Sequence, residues 1–539
     1  MTAVTGTSDS SGLPDAVVIG AGHNGLVAAN LLADAGWSVL VVEGADHPGG
    51  AVWSAESVEP GFVTDLYSAF YPLGAASPVI AGLDLERYGL RWSHAPAVLA
   101  HVLPDDRCAV LSRDLQTTAA SVDAFAAGDG ESWIRLYEQF ERIRDPLLAA
   151  IFTPFPPVVP AVRLVHRLGV AGALRFARFA VEPVRRFAEE RFDGEGAPLL
   201  LAGNALHTDL PPEGAGSAVY GWLLAMLGQQ VGFPVPVGGA RGLVDALLAR
   251  LEARGGEVRT GATVERVLVE HGAARGVRLA GGEVIRTRYG VLADTAAPAL
   301  FRDLVGTEHL PPALVRDLDG FQWDAHTLKV NWTLDGPIPW TAAAARGAGT
   351  VHLGVDMNGL TMYSAQLATR RVPDQPFLIV GQMTTSDPSR SPSGTESAWC
   401  YTHLPVDTGH DPDAVQRQLE RVEQCIERHA PGFGTLVRGR QVQAPWTLEG
   451  ADPNLVGGAV NGGTAALHQQ LVFRPVPGLS RSETVVDRLY LASASAHPGG
   501  GVHGGPGANA ARAALMREAR TGRARRRLLD AAMNRVYRG

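Results

Sequence analysis

At 539 residues, with 46% hydrophobic and 19% charged residues, the chain has room for two or three domains and a sizeable core. A formal charge of −8 and a pI near 6.1 argue against a general nucleic-acid binder. Cys108, Cys400 and Cys425 form no Cys-x-x-Cys pair, which excludes an adjacent-cysteine redox disulfide and suggests a reducing compartment, and the 16 histidines show no metal-ligand spacing.

The opening stretch MTAVTGTSDSSGLPD lacks a basic start followed by an apolar run, so no secretory leader is expected and a cytoplasmic location follows. Residues 15–50 then read as strand, glycine turn, helix, strand and acid. Val17, Val18 and Ile19 make the apolar run of a buried parallel strand. Gly20, Gly22 and Gly25 supply the tight turn, the close backbone approach to a pyrophosphate and the close helix-to-strand packing of a dinucleotide site. A helix over Asn24 to Ala35 aims its unpaired N–H groups at that pyrophosphate and stops at Gly36, a left-handed cap. Trp37 to Val42 form the next strand, and Glu43, 18 residues after Gly25, is placed to take the two ribose hydroxyls. His47-Pro48-Gly49-Gly50-Ala51 adds a second glycine approach just past the acid, as a ligand continuing along the chain needs. This resembles the paired-glycine motif of flavin oxidoreductases and points to FAD, although Ala51 stands where many members have arginine.

Residues 131 to about 230 carry a mostly helical pattern. Within them, Pro146 to Val162 are 17 uncharged residues whose five prolines rule out a transmembrane helix. Behind that run, Arg163, Arg167, Arg175, Arg178, Arg185 and Arg186 alternate with leucines, valines and phenylalanines. Two readings stay open: a helical cap packed over a pocket, or a basic amphipathic surface that docks on a bilayer and admits an apolar substrate. From Pro234 to Asp294 the flavin-site pattern resumes: Gly238-Gly239, an amphipathic helix Leu243 to Arg254, Gly255-Gly256, and short strands at Val258 to Thr260, Val264 to Val269, Gly276 to Leu279 and Val284 to Thr287. Val264 is counted with the cofactor-binding residues. Strands follow at His326 to Leu334 and Phe377 to Gln382. A third flavin-site element is a strand over Asp487 to Ala494 leading through His497 to Pro506 into a helix that runs to about Leu515, with a proline suited to its first turn. Gly499, Gly501 and Gly504 repeat the spacing of a dinucleotide turn, but Ala496-His497-Pro498 separates them from their strand and no second strand with a terminal acid follows. One dinucleotide is therefore bound, with no built-in NAD(P)H site. The basic tail, Arg512 to Arg538, reads as a solvated helix face.

With these elements located, the chain resembles the phytoene desaturase and carotenoid oxidoreductase branch of the flavin amine-oxidase superfamily, and within it the pyridine nucleotide-disulfide oxidoreductase domain-containing protein 2 group. The residues that carry this are VVIGAGHNGLVAANLLA with Glu43 and Gly49-Gly50-Ala51, the stretch from Gly221 to Leu247, DPSRSPSGTESAWCYTHLP from Asp387 to Pro405, FRPVPGL from Phe473 to Leu479, and Leu489 to Leu515. The resemblance spans roughly residues 14 to 516. It implies an α/β fold: a Rossmann-like FAD-binding domain assembled from 14–75, 231–300 and 480–520, an inserted α+β substrate domain from 76–130 and 301–479, a helical cap over 131–230, and a basic tail over 521–539. It also implies non-covalent FAD, held by Gly20, Gly22, Gly25, Glu43, Gly49, Gly50, Ala51, Val264, Gly501, Val502 and Gly504, and an acceptor such as oxygen or a quinone. The disulfide in the group's name fits this chain badly, because the cysteine pair is missing.

Of 47 basic residues only Lys329 is a lysine. In flavin amine oxidases a lysine on the matching strand holds a water against flavin N5, and the resemblance carries that role to Lys329; the other reading is a surface lysine left by chance. A compact ammonium with three donors positions one water better than a planar arginine fork. His503 is the second catalytic candidate, beside His497, although a histidine next to a glycine run is as often a cap or a backbone hydrogen-bonder. Trp399, Tyr401 and His403 are candidates for lining a pocket. The expected activity is transfer of hydride from a hydrophobic substrate of isoprenoid or carotenoid-like kind to flavin N5, with peripheral contact at the inner face of a membrane. A flavin amine oxidase and a non-catalytic, chaperone-like flavoprotein are the alternatives.

Overall fold

A computed structural model describes residues 12–408 and 410–537. The opening stretch read above falls largely on residues 1–11, which lie outside the described residues, as does Arg538 at the end of the basic tail.

Five parallel strands make the first sheet, in the order Leu489–Leu491, Gly290–Ala293, Ala16–Ile19, Val39–Val42, Glu257–Arg259. Its central strand is AVVI, buried on both faces because helices cover the sheet on one side and the segment 297–318 on the other. The helix His23–Asp34 packs between Arg241–Glu252 and Gly505–Glu518. Asn30, fully buried, donates to Leu26 O and Leu247 O and accepts from Arg250, so its own amide is fully paired inside this layer. An antiparallel ribbon of three strands, Val264–Glu270, Ala273–Leu279 and Val284–Arg286, sits beside it.

The second large sheet has seven strands, in the order Val437–Gln443, His326–Leu334, Glu396–Leu404, Leu378–Gln382, Ala348–Leu353, Ala97–Val102, Cys108–Leu111. All neighbours are antiparallel except the pair Ala348–Leu353 and Ala97–Val102, which is how the early segment joins strands more than two hundred residues later. Alternation sorts its residues by face. Val330, Trp332 and Leu334 pack under the helix Pro412–His429, while Thr327, Lys329 and Asn331 face the other way. The helices Asp129–Ile151, Val158–Val181, Val184–Glu189, Gly196–Ala205 and Ser217–Val231 form the region between the two sheet segments in sequence.

Three expectations need correction. The strand over Asp487 to Ala494 shrinks to Leu489–Leu491, because Asp487 and Arg488 are tied to Arg517 and Glu518 and Arg488 takes a left-handed φ of 62°. The strand from Trp37 begins only at Val39. The basic tail is more than a solvated face: its helix Gly522–Tyr537 inserts Met533 and Tyr537 into the core beside Leu479 and Val476, and the Tyr537 hydroxyl donates to Pro477 O at 2.6 Å.

Candidate functional site

The first glycine turn is built so that backbone, and only backbone, can occupy it. Gly20 has φ +90°, and a Cβ there would stand 2.9 Å from Asp294 O. A Cβ on Gly25 would stand 2.2 Å from Gly20 O, and one on Gly22 would stand 2.7 Å from Asp294 Oδ2. The second glycine pair closes on the same turn: Gly49 N donates to Ala21 O at 2.9 Å, and Gly50, at φ +53°, lies against Gly22 Cα. Glu43 is fixed at the end of its strand, Oε2 accepting from Ala21 N at 2.7 Å and Oε1 from Ala45 N at 2.9 Å, with lone pairs left over for hydroxyl donors. Val264 begins the ribbon strand that follows Ala262, whose N–H donates to Glu43 O at 2.7 Å. Ala51 contributes backbone only: its carbonyl accepts from the Ser68 hydroxyl at 2.7 Å. This cradle, open at the start of the helix His23–Asp34, fits the pyrophosphate and ribose of FAD.

The third glycine element meets the first. Gly504 (φ +71°) precedes the helix Gly505–Glu518, and a Cβ on it would touch Val27 of the first helix at 2.9 Å. Gly501 has φ +114°, and the half-buried Val502 lies over Gly74, whose Cβ position is 3.0 Å from its carbonyl oxygen. His503 is buried; its Nδ1 accepts from Gly505 N at 3.0 Å, its carbonyl accepts from the Ser77 hydroxyl at 2.7 Å, and its ring stands edge-on to Phe152. Burial pushes its pKa down to about 3, with a smaller opposing pull from a backbone bond to Gly500. A neutral imidazole engaged by backbone on both sides favours the backbone-holding reading of His503 over the catalytic one. His497 behaves alike, its Nε2 3.2 Å from Thr153 O.

Two carboxylates escaped the sequence reading. Asp294 is buried at the turn, Oδ2 accepting from Gly25 N at 2.8 Å, and burial drives its pKa up to about 7. Asp452, also raised by burial, stands 3.5 Å from the Cβ position of Gly50, with Glu43 close to both. The only local sign of Asp294 is an acid directly after the buried strand GVLA. A pyrophosphate arriving at this turn adds negative charge and raises Asp294 further, so binding takes up a proton. His23, neutral because burial lowers it to about 4, supplies no compensating charge. FAD affinity is therefore expected to fall by up to about tenfold per pH unit above pH 7, and the profile to flatten in Asp294→Asn. Fluorescence titrations of FAD between pH 6 and 9 read this directly, and a level wild-type profile would remove Asp294 from the account.

On the inner face of the seven-stranded sheet, register places His101, His352, Ile379, Tyr401, Lys329 and Gln443 in one cross-strand row. Lys329 is 3% exposed, which ends its reading as a surface survivor. Its Nζ donates to Asp65 O at 2.7 Å and to Asn331 Oδ1, and lies 5.5 Å from the Trp399 ring centre. Burial lowers its pKa to about 7, with Asp65 opposing. Trp399 and Tyr401, two residues apart on one face, stack at 6.0 Å and 20°. Tyr401 shares a cluster with Phe70, Leu73, Val219, Leu223 and Leu224, so the sheet face meets the helix Ser217–Val231 across an apolar interior.

His403, the third member of that alternation, stands 3.0 Å from Asp209 through Nε2, a contact off the N–H axis and so more ionic than directional. Its Nδ1 lies 3.0 Å from the Tyr363 hydroxyl, which also accepts from His403 N at 3.0 Å. Burial lowers the pKa of His403, but the charges of Asp209 and Asp324 outweigh it and hold the ring above its ordinary value. Asp209 and Tyr363 went unseen in sequence because nothing local marks them.

Residues 18–83 match the model of an NAD(P)-binding Rossmann-like domain. The chain is 30% identical to pyridine nucleotide-disulfide oxidoreductase domain-containing protein 2 of Rattus norvegicus, over 92% of each chain. It is 26% identical to the neurosporene-forming phytoene desaturase of Cereibacter sphaeroides, over 92% of this chain and 93% of that one. Among solved structures, cyclohexylamine oxidase from Brevibacterium oxydans superposes with a TM-score of 0.57 at 16% identity, covering 97% of this chain and 99% of that one, a likeness of fold.

Proposed function

The chain belongs to the pyridine nucleotide-disulfide oxidoreductase domain-containing protein 2 family, and from that premise we propose that it is a dehydrogenase of the desaturase kind, acting on a hydrophobic, isoprenoid-like substrate with oxygen or a quinone as acceptor. It is an FAD-dependent oxidoreductase with the Rossmann-like fold of flavin amine oxidases. Bound FAD supplies hydride acceptance; the chain supplies orientation, dryness and fixed charge. The observation that carries the reading is the apolar interior between the Ser217–Val231 helix and the sheet face bearing Trp399, Tyr401 and the buried Lys329. Lys329 has two N–H groups committed to Asp65 and Asn331, and in this proposal its third holds a water toward the flavin. Arg474, fully buried, donates to the carbonyls of Asn461, Thr464 and Ala494 and braces the loop ahead of Gly499.

An anaerobic screen watching flavin absorbance tests this reading. Bleaching by isoprenoid hydrocarbons or their derivatives is the expected result. Bleaching by amines alone would move the protein to the amine-oxidase reading, and none by either class would favour a flavoprotein scaffold.

We further propose cytoplasmic residence with peripheral contact at the inner face of a membrane, through the helix Val158–Val181. That helix, kinked at Gly169, leaves Val158, Val159, Val162, Val170 and Leu174 more than half exposed, up to 85% for Val170, with Arg163, Arg167 and Arg175 beside them. Among the described residues no helix is long and apolar enough to cross a membrane. Flotation with anionic liposomes at low salt is expected to carry the protein upward, and Val170→Glu with Leu174→Glu to reduce that several-fold. Protein that stays at the bottom would return the helix to the cap reading.

A further inference from the structure

The interior face that holds Lys329 does not end in hydrocarbon. At its far end Asp209 comes from the turn after the helix Gly196–Ala205, His403 from the strand Glu396–Leu404, Tyr363 from the helix Met357–Ala368, and Asp324 from the loop before His326. Asp209 has a left-handed backbone, φ +61°, and Oδ2 accepts from Ala325 N at 3.1 Å, so its carboxylate is held from both ends against His403. Along Tyr363–His403–Asp209 exposure grows from 1% at Tyr363 and 4% at His403 to the half-buried Asp209, so Asp209 is the end that remains open. The Tyr401 hydroxyl has no hydrogen-bond partner among the described residues; its ring stands edge-on to His403 at 5.6 Å, and His403 reaches Asp209, whose charge with that of Asp324 pushes the Tyr401 pKa up beyond the effect of burial. Tyr401 is only half-buried, as are Tyr220 and Leu223 on the helix opposite.

We propose that Asp209, backed by His403 and Tyr363, forms with the Tyr401 hydroxyl the anchoring end of the substrate site, and that this end takes the hydroxyl group of an otherwise apolar substrate. The inference rests on the apolar-substrate reading above and narrows it. The charges at this end settle on a neutral group over a cation. Asp209 is already held by His403 Nε2 and Ala325 N, and Asp324 lies near Arg474, which keeps its charge even though burial lowers it to about 10. Asp324 accepts from Val460 N at 2.7 Å and Asn461 N at 2.8 Å, and His207 nearby is neutral, lowered by burial to about 4. An alcohol donates to Asp209 and accepts from Tyr401 without bringing a charge into this end, whereas an ammonium must give up its hydration close to the like charge of the buried Arg474. A plain hydrocarbon leaves the Tyr401 hydroxyl without a partner, and sites built to hydrogen-bond a hydroxyl discriminate strongly against analogues that lack it.

The test titrates 1-decanol, decylamine and decane into the FAD-loaded protein, following the visible spectrum of the flavin and the melting temperature. Decanol is expected to bind at least about tenfold more tightly than decane, with decylamine weaker than decanol. Asp209→Asn, which keeps a residue tolerant of the left-handed backbone, and Tyr401→Phe should each cut the decanol preference to a few-fold or less. Tyr401→Phe stands alone if the first variant fails to fold. Equal binding of decane and decanol, tighter binding of decylamine, or a preference untouched by Tyr401→Phe would overturn the anchor while leaving the apolar-substrate reading in place. If none of the three probes binds, both fall together.

Discussion

Gly22→Val should give a folded, colourless protein whose affinity for FAD is lower by three orders of magnitude or more. The backbone at Gly22, φ −64° and ψ 169°, is one that valine adopts without strain, so the substitution does not act through local conformation. It acts through space. A Cβ at this position stands 2.7 Å from Asp294 Oδ2, and the two methyl groups beyond it project into the turn where the N–H groups of the first helix must meet the pyrophosphate. The Asp294 side chain can swing away, so the fold survives, but the phosphate then meets a branched side chain in place of bare backbone. Glu43→Ala should cost less, about ten- to a hundredfold, because it removes hydrogen bonds to the ribose and the acceptor for Ala21 N while leaving the cradle open. Absorbance of the purified protein at the flavin maximum and FAD titration of the apoprotein measure both, with circular dichroism reporting the fold. Yellow Gly22→Val protein with normal FAD content would mean that the dinucleotide lies elsewhere.

The elements of this site that could be read from sequence are those whose physics is local. The strand Ala16–Ile19, the glycine turn and the helix His23–Asp34 sit within twenty residues, and each needs a residue type that few others replace, so pattern and structure coincide to within one or two positions. The strand His326–Leu334 was legible for the same reason, an alternation long enough to be unambiguous. What the sequence hid is set by pairing at a distance. Asp294 matters because its strand lies parallel to the first one, 274 residues earlier at the register Ala16 to Gly290, and nothing near it announces that neighbour. Asp209, Tyr363 and His403 come from a turn, a helix and a strand, and only the register that puts His403 opposite Thr327 brings their chemistry together. The tail misled for a related reason: its arginines dominate the composition, but Met533 and Tyr537, four apart on one helical face, decide where it packs.

Lys329→Met should leave FAD bound and slow a flavin half-reaction by about a hundredfold, the usual loss of roughly 3 kcal/mol for one positioned donor at a reacting centre. The cofactor contacts lie at Gly22, Gly25 and Glu43, well away in the chain, and methionine fills the volume of a side chain that is 3% exposed. Asn331 keeps a partner, since its amide already donates to Gln443 Oε1 at 2.8 Å. A second signature separates a positioned donor from a merely structural lysine. Burial lowers Lys329 to about 7, so its ammonium is present below that pH and is lost above it. As the ammonium is the stronger donor, the wild-type half-reaction should be fastest below pH 7 and fall through an inflection near it, and the methionine variant should be slow and level across the same range. Lys329→Arg should not restore the rate, because a planar fork cannot replace a point donor between Asp65 O and Asn331 Oδ1. Stopped-flow measurements must follow reduction by substrate and reoxidation by oxygen separately, since a water held at the flavin can serve either. Unchanged rates in both half-reactions, with FAD retained and the pH inflection intact, would confine Lys329 to holding Asp65 and Asn331 in place.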